Sequence, residues 1–263
     1  MTKMDAPLVL RADEGPVRTL TLNRGEKFNL LSSAMIAALQ AELDTAAADE
    51  SVRAIVIAGR GRGFCAGHDL TELRAHTGDD SWQRQLFDGC SRLMLTLTQI
   101  PQPVIARVHG VATAAGCQLV AMCDLAIASE AARFAVPGLK IGLFCSTPAV
   151  AVARNIGWKK AMELLLTGES IDAGTAQAWG LVNRAVPEGQ LDAEIRRLMD
   201  LILARSAPVI ALGKKTFYRQ ICQSLDAAYE VASEAMASNM GYEDAAAGID
   251  AFLGKRAAPK MQF

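Results

Sequence analysis

The residues that could do chemistry are few. The chain has three histidines, His68, His76 and His109, and six cysteines, at 65, 90, 117, 123, 145 and 222. The histidines do not fall at a metal-ligand spacing and the cysteines form no C-x-x-C pair, so no metal site is expected. No G-x-S-x-G elbow appears, which argues against an α/β-hydrolase serine. Gly61-Arg62-Gly63-Phe64-Cys65-Ala66 matches G-x-G-x-x-A after an apolar run. A lone match is weak, and no acidic residue closes a second strand ~20 residues on, as ribose binding requires. His109 ends an apolar run and reads as a packed, hydrogen-bonded residue. His76 lies in a polar segment and reads as solvated. His68 stands where two glycine-rich turns could converge.

The second of those turns carries the clearest chemical signal. An apolar run over 104–108 leads into Gly110-Val111-Ala112-Thr113-Ala114-Ala115-Gly116, and a short apolar helix is predicted over 117–122. Residues with almost no side chain let a ligand approach the backbone. A helix start offers N–H groups without intrahelical partners and the positive end of a dipole. Such donors suit a developing oxyanion. The same small residues also serve close packing.

Positioning these turns falls to alternating strands and helices. Strands are predicted over 8–12 and 17–23, around a turn at Asp13-Glu14-Gly15-Pro16. A helix capped by Ser32 or Ser33 runs to about 48, with Met35, Ile36, Leu39 and Leu43 on one face. A buried strand follows over 52–58. The polar segment 75–81 precedes a helix over 82–100, stopped by Pro101 and Pro103. Beyond the central turn the pattern predicts a strand over 124–129, a loop over 131–143, helices over 147–156 and 159–167, and a strand over 181–186. From 191 onward the chain reads as three helices broken near Pro208 and Gly241. A strand–helix repeat with an all-helical end predicts an α/β core carrying a helical module.

Composition narrows the classes. The chain has 263 residues, 51% hydrophobic and 21% charged, with a formal net charge of −1. That suits a sizeable core and gives no basic surface for nucleic acid or anionic membrane. No apolar run reaches the ~18 residues of a membrane span. Unpaired cysteines in apolar runs predict a reducing, cytoplasmic setting. The opening MTKMDAPLVL shows neither a signal-peptide core nor an Arg-rich transit pattern.

The two turns also carry a resemblance. FCAGHDL (64–70) and VHGVATAAGCQLVAMCDLAIAS (108–129) are similar to the two signature regions of the crotonase, or enoyl-CoA hydratase/isomerase, family. NRGEKFNLLSSAM (23–35) resembles its N-x-L-S-x-x-M region, and FAVPGLKIGL (134–143) its F-x-x-P-E-x-x-x-G loop. LLTGESIDAGTAQAWGLVNRAVP (165–187) and FLGKR (252–256) resemble its later landmarks. The resemblance implies a crotonase-type α/β spiral of ββα units over 1–190. It also implies a C-terminal helical trimerisation region over 191–263, giving a homotrimer or a dimer of trimers. The substrate is expected to be an acyl-CoA thioester. No separate cofactor is called for, since coenzyme A enters as part of the substrate.

By position in the family, the backbone amides of His68 and Ala115 form the oxyanion hole. Lys27, Ala66, Gly67, Asp69, Leu70, Gly116 and Cys145 line the coenzyme A entrance and acyl pocket. Phe252 and Lys255 reach the nucleotide end from the same or a neighbouring subunit. Asp69 also reads as a helix cap. The departure is in the acid–base pair. Typical hydratases carry two glutamates, which align with Gln118 and Gly138, and Ser146 falls where some members place an aspartate. A neutral amide is not a useful base, glycine has no side chain, and serine lacks that basicity. His68, Cys145, Ser146 and Thr147 are candidate replacements by location, though each reads more readily as pocket lining without chemistry. Three functions stay open: a hydratase/isomerase-type enzyme, an acyl-CoA-binding protein with little turnover, and a thioesterase using the 145–147 loop.

Overall fold

The computed structural model describes residues 6–256; the outermost parts of both predicted regions, 1–5 and 257–263, lie outside the described residues. The expected hairpin forms from β1 (Val9–Glu14) and β2 (Val17–Leu22), paired antiparallel. Gly15 takes the left-handed conformation in its turn. Helix α1 (Ser33–Ala47) starts where Ser32 accepts the Met35 N–H, and it buries Met35, Ile36, Leu39 and Leu43 as its 3.6-residue period requires.

Three units then repeat one plan. Each gives a strand to a large sheet, a three-residue strand to a small sheet, and then a helix or 3₁₀ turn. The first has β3 (Ala54–Gly59), β4 (Gly63–Cys65) and α2 (Leu70–Ala75), followed by α3 (Asp80–Gln99). The second has β5 (Val104–Val108), β6 (Val111–Thr113) and α4 (Ala115–Met122). The third has β7 (Leu125–Ser129), β8 (Arg133–Ala135), a 3₁₀ turn (Gly138–Ile141) and α5 (Ser146–Ile156). Helix α6 (Trp158–Thr167), β9 (Ile171–Asp172), α7 (Ala173–Trp179) and β10 (Arg184–Val186) close the spiral. The large sheet runs β1-β2-β3-β5-β7-β10 and the small one β4-β6-β8-β9. All pairings in both sheets are parallel except β1–β2 and β8–β9.

Strand β3 is apolar on both faces for a visible reason. Ile55 and Ile57 enter the main core, while Ala54 and Val56 face the other side. There α8 (Leu191–Leu203) covers them with Leu191, Ile195 and Met199. The predicted boundary at 190/191 therefore coincides with a helix start, and α8 packs on the large sheet. Only α9 (Ala207–Gln220), α10 (Leu225–Asn239) and α11 (Glu243–Leu253) leave the sheet.

Among the described residues the C-terminal helices number four where three were predicted. The predicted break near Pro208 falls at 204–206, and Pro208 itself sits in the first turn of α9, where its missing N–H costs nothing. The unpredicted break is at 221–224, which holds neither glycine nor proline. The 131–143 segment, predicted as loop, contains β8 and the 3₁₀ turn.

One contact ties α9 to the core. The Lys214 ammonium, almost wholly buried, donates to Leu97 O (2.7 Å), Gln102 O (2.8 Å) and Asp124 Oδ2 (2.6 Å). The same Asp124 oxygen accepts the Val104 N–H at 2.7 Å. The ends of α3 and the starts of β5 and β7 thus meet on one side chain.

Candidate active site

Parallel pairing of β4 with β6 sets Gly63 against Val111 and Cys65 against Ala112. The turns that leave these strands therefore emerge side by side. Thr113 Oγ1 donates across them to Ala66 O at 3.1 Å. Gly67 has φ +92°, and a Cβ there would stand 2.9 Å from Ala114 Cβ and 3.3 Å from the Ala115 nitrogen. At Gly116 a Cβ would fall 2.0 Å from Cys65 O. Both glycines are required by the closeness of the two turns.

Ala114 takes φ 49°, ψ −120°, a conformation that an alanine adopts only at a cost of about 1–3 kcal/mol. Its N–H is held by Ala135 O at 2.9 Å, so β8 pins the strained turn. Ala115 is fully buried and is the first residue of α4, so its N–H has no partner in the helix. His68 lies beside Leu31 in an isolated parallel bridge, in which Leu31 N donates to Gly67 O at 2.8 Å. Neither the His68 nor the Ala115 N–H donates in the turn and loop hydrogen bonds of the described residues.

The His68 ring places Nδ1 3.1 Å from Leu31 O and meets the Phe87 ring edge-on at 5.4 Å. Its Nε2 is buried without a hydrogen-bond partner. Burial pushes its pKa down; the Leu31 carbonyl and the Glu72 charge pull weakly the other way. Gln118, one turn into α4, is buried, and its Oε1 also lacks a partner. Gly138 opens the 3₁₀ turn, where a Cβ would stand 2.4 Å from Leu143 O and 2.7 Å from Cys145 Sγ. Cys145 is half-buried beside α5, and burial raises its thiol pKa against the pull of the Gly138 N–H. Ser146 is exposed and its hydroxyl donates to Phe144 O at 3.3 Å.

The remaining expected residues are dispersed. Asp69 is committed to α2, accepting from Thr71 N (2.9 Å) and Glu72 N (3.4 Å), which is its capping reading. Leu70 follows it, half exposed. Lys27 is exposed at the end of a 3₁₀ turn. Phe252 is 82% exposed on α11, and Lys255 follows with φ 49°, so within the chain neither packs at the turns. His76 is not simply solvated: its ring stacks on Trp82 at 3.8 Å and its Nδ1 lies 3.0 Å from Glu72 O. His109 is the packed residue expected, with Nε2 2.9 Å from Gly61 O. The G-x-G-x-x-A turn leads into β4 rather than a helix, which removes the dinucleotide reading.

Sequence reasoning gave no role to Asn29 or Leu31, and took Ala114 only as a small residue leaving room for a ligand. Asn29 is buried at φ 53° and donates to the carbonyls of Arg60, Gly63 and Phe64, fastening the first turn. Its signal was the N-x-L-S match itself. The strain at Ala114 left no signal, because alanine does not advertise a positive φ.

A family model described as enoyl-CoA hydratase/isomerase matches residues 13–262. The chain belongs to the enoyl-CoA hydratase/isomerase family. Within it, the chain is 45% identical over 250 residues to enoyl-CoA hydratase domain-containing protein 3, mitochondrial, of Xenopus laevis, covering 95% of this chain and 85% of that one. Its human counterpart is 45% identical over 240 residues, covering 91% and 79%. The crystal structure of that human protein superposes with a TM-score of 0.92 at 43% identity, covering 96% and 99% of the two chains. An enoyl-CoA hydratase from Mycobacterium smegmatis superposes at 0.94 with 52% identity, covering 97% and 99%. These matches carry the crotonase fold and the domain-containing protein 3 branch. They overturn the cytoplasmic expectation, since the frog, mouse and human relatives are all named mitochondrial. Buried thiols report a reducing compartment, and the cytosol is not the only one.

Proposed function

We propose that this family member binds acyl-CoA thioesters and polarises the thioester carbonyl between the N–H groups of His68 and Ala115, stabilising an enolate. The observation that carries the reading is the contact of the Gly67 turn with the strained Ala114–Ala115 turn. Fixed backbone donors at one oxygen are worth roughly 3 kcal/mol each in the transition state. Lys27, Ala66, Gly67, Leu70, Gly116 and Cys145 line the coenzyme A path. Phe252 and Lys255 meet the nucleotide from the same or a neighbouring subunit of a homotrimer or dimer of trimers, with Lys255 as a phosphate-facing charge.

Water activation is the missing part. Gln118 cannot take a proton, and the space beside Gly138 is filled by Leu143 O and Cys145 Sγ. General acid–base help is worth ~10²–10⁴-fold per group, so hydration of crotonyl-CoA should be slow by at least one such factor. This favours enolate chemistry that does not add water, or binding with little turnover. The thioesterase alternative loses support, because the Cys145 thiol is pushed up by burial and its thiolate is disfavoured.

The test is calorimetry with saturated, enoyl and dienoyl-CoAs, with products followed by mass spectrometry. Binding with hydration orders of magnitude below a two-glutamate hydratase supports the reading. A comparable hydration rate, or no binding of any thioester, sinks it.

A further inference from the structure

Helix α3 has two working faces. Phe87 meets the His68 ring, while Trp82, Leu86, Gly89 and Arg92 recur at helical spacing along another stripe, toward α1. Between α1 and α3 this stripe lines an open cleft of about 270 Å³. Ile36 and Ala37 of α1 and Leu86 of α3 give it apolar walls, and no aspartate or glutamate lines it. Trp82, held by its stacking on His76 at 3.8 Å, stands at the α3 N-terminal end. Gly89 is what opens the cleft. It lies in the middle of a 20-residue helix, where glycine is destabilising relative to alanine. Packing does not demand it. A Cβ there would meet only Ile36 Cγ2, at 3.9 Å, an ordinary contact, whereas Gly67 and Gly116 are forced by backbone close approach. The structural consequence of Gly89 is therefore the space itself. Arg92, exposed, lies one turn further on. Its guanidinium has no hydrogen bond or ion pair among the described residues, although Asp88 precedes it by a turn.

We infer that the α1–α3 cleft is a binding site for a free medium-chain carboxylate. Arg92 holds the carboxylate, and the tail runs past Gly89 along Ile36, Ala37 and Leu86 toward Trp82. An uncommitted cation beside an apolar trough without acids is complementary to an anion with an apolar tail. The planar guanidinium takes a carboxylate through paired N–H donors. Ten residues of helix separate Trp82 from Arg92, a rise of about 15 Å, and a helical side chain leans toward the N-terminus, which shortens that gap. A tail of medium length spans it, and acetate does not. The cleft lies on a different face of α3 from the two turns, so the inference stands apart from the acyl-CoA reading.

The probes are octanoate, with octanol as the uncharged control and acetate as the control without a tail. They are titrated into the full chain labelled with 5-fluorotryptophan, where Trp158 and Trp179 serve as internal references for the Trp82 ¹⁹F signal. Octanoate should move the Trp82 signal with a Kd of about 1 mM or tighter, and octanol and acetate should bind about tenfold or more weakly. Arg92→Gln should weaken octanoate about tenfold and leave octanol unchanged. Gly89→Leu, which fills the cleft with a side chain, should abolish the octanoate shift. No shift at Trp82, an equal response to octanol or acetate, or an octanoate response that survives Arg92→Gln overturns the inference. So does a Trp82 signal that moves with protein concentration alone, which marks the cleft as a contact between copies. Should Gly89→Leu not fold, Arg92→Gln decides by itself, since it alters an exposed side chain.

Discussion

Burial holds the His68 imidazole below its usual pKa of 6.5, and the sign of the consequence follows. As pH falls through the unfolded value, the unfolded chain takes up a proton that the native state resists. Native stability therefore declines as pH drops below about 6.5, and the decline levels off beneath the folded pKa. Urea unfolding at pH 7.5 and 5.5 should show a larger loss for the wild type than for His68→Phe; equal losses would mean that the ring is not buried neutral. Gly138 gives a second expectation. Gly138→Glu, the obvious way to rebuild a carboxylate, puts its Cβ 2.4 Å from Leu143 O, a backbone atom that cannot swing aside. Overpacking of this kind costs about 1–3 kcal/mol or more. The variant should melt lower and gain no hydratase activity, even combined with Gln118→Glu; a gain in rate without loss of stability would show that the 138–145 loop yields. At this scale the sequence shows no carboxylate at 118 or 138. It could not show that the thiol of Cys145 and the Leu143 carbonyl crowd Gly138, since contact across a loop leaves no pattern in residue types.

Among elements, the meeting of β4 and β6 decides where the two turns lie. Gly116→Ala would drive a methyl to 2.0 Å from Cys65 O. It should destabilise the fold by about 2 kcal/mol or more, read as a lower urea midpoint with an unchanged slope. Ala114→Gly should do the opposite, raising stability by about 1 kcal/mol through relief of the positive φ. A neutral or destabilising result there would mean that the turn is not strained. The long helices were readable because Ser32 and the proline pair after α3 mark their ends and an apolar period fills their length. The small sheet was not. Strands of two or three residues, such as β6 and β9, are too short to show alternation, and their pairing partners lie 20 or more residues away. The break between α9 and α10 escaped because Ser224, which precedes Leu225, is not distinctive without a glycine or proline nearby.

For the molecule as a whole, α9 to α11 leave apolar side chains uncovered, among them Ile221, Leu225, Tyr229, Met236, Met240 and Phe252. A surface of this kind calls for a partner, and the proposed assembly predicts a sedimentation mass three or six times that of the 28.0 kDa chain. A monomer at micromolar concentration would refute it. The helical tail itself was legible, but its attachment was not, because a lysine in a helix gives no hint that it will be buried. Lys214→Met would strand the Asp124 carboxylate and should cost about 3–5 kcal/mol, with amide exchange rising first in α9. Lys214 has one more consequence. Activated thioesters slowly acylate free amines, and a protein that handles them is exposed to this damage. All three protons of the Lys214 ammonium are already committed to Leu97 O, Gln102 O and Asp124 Oδ2, so in the native fold it offers no lone pair to attack with. The injury can reach this lysine only before the chain has folded. A chain injured there would bring a neutral, bulky amide to a hole shaped for a cation, and could not close around it.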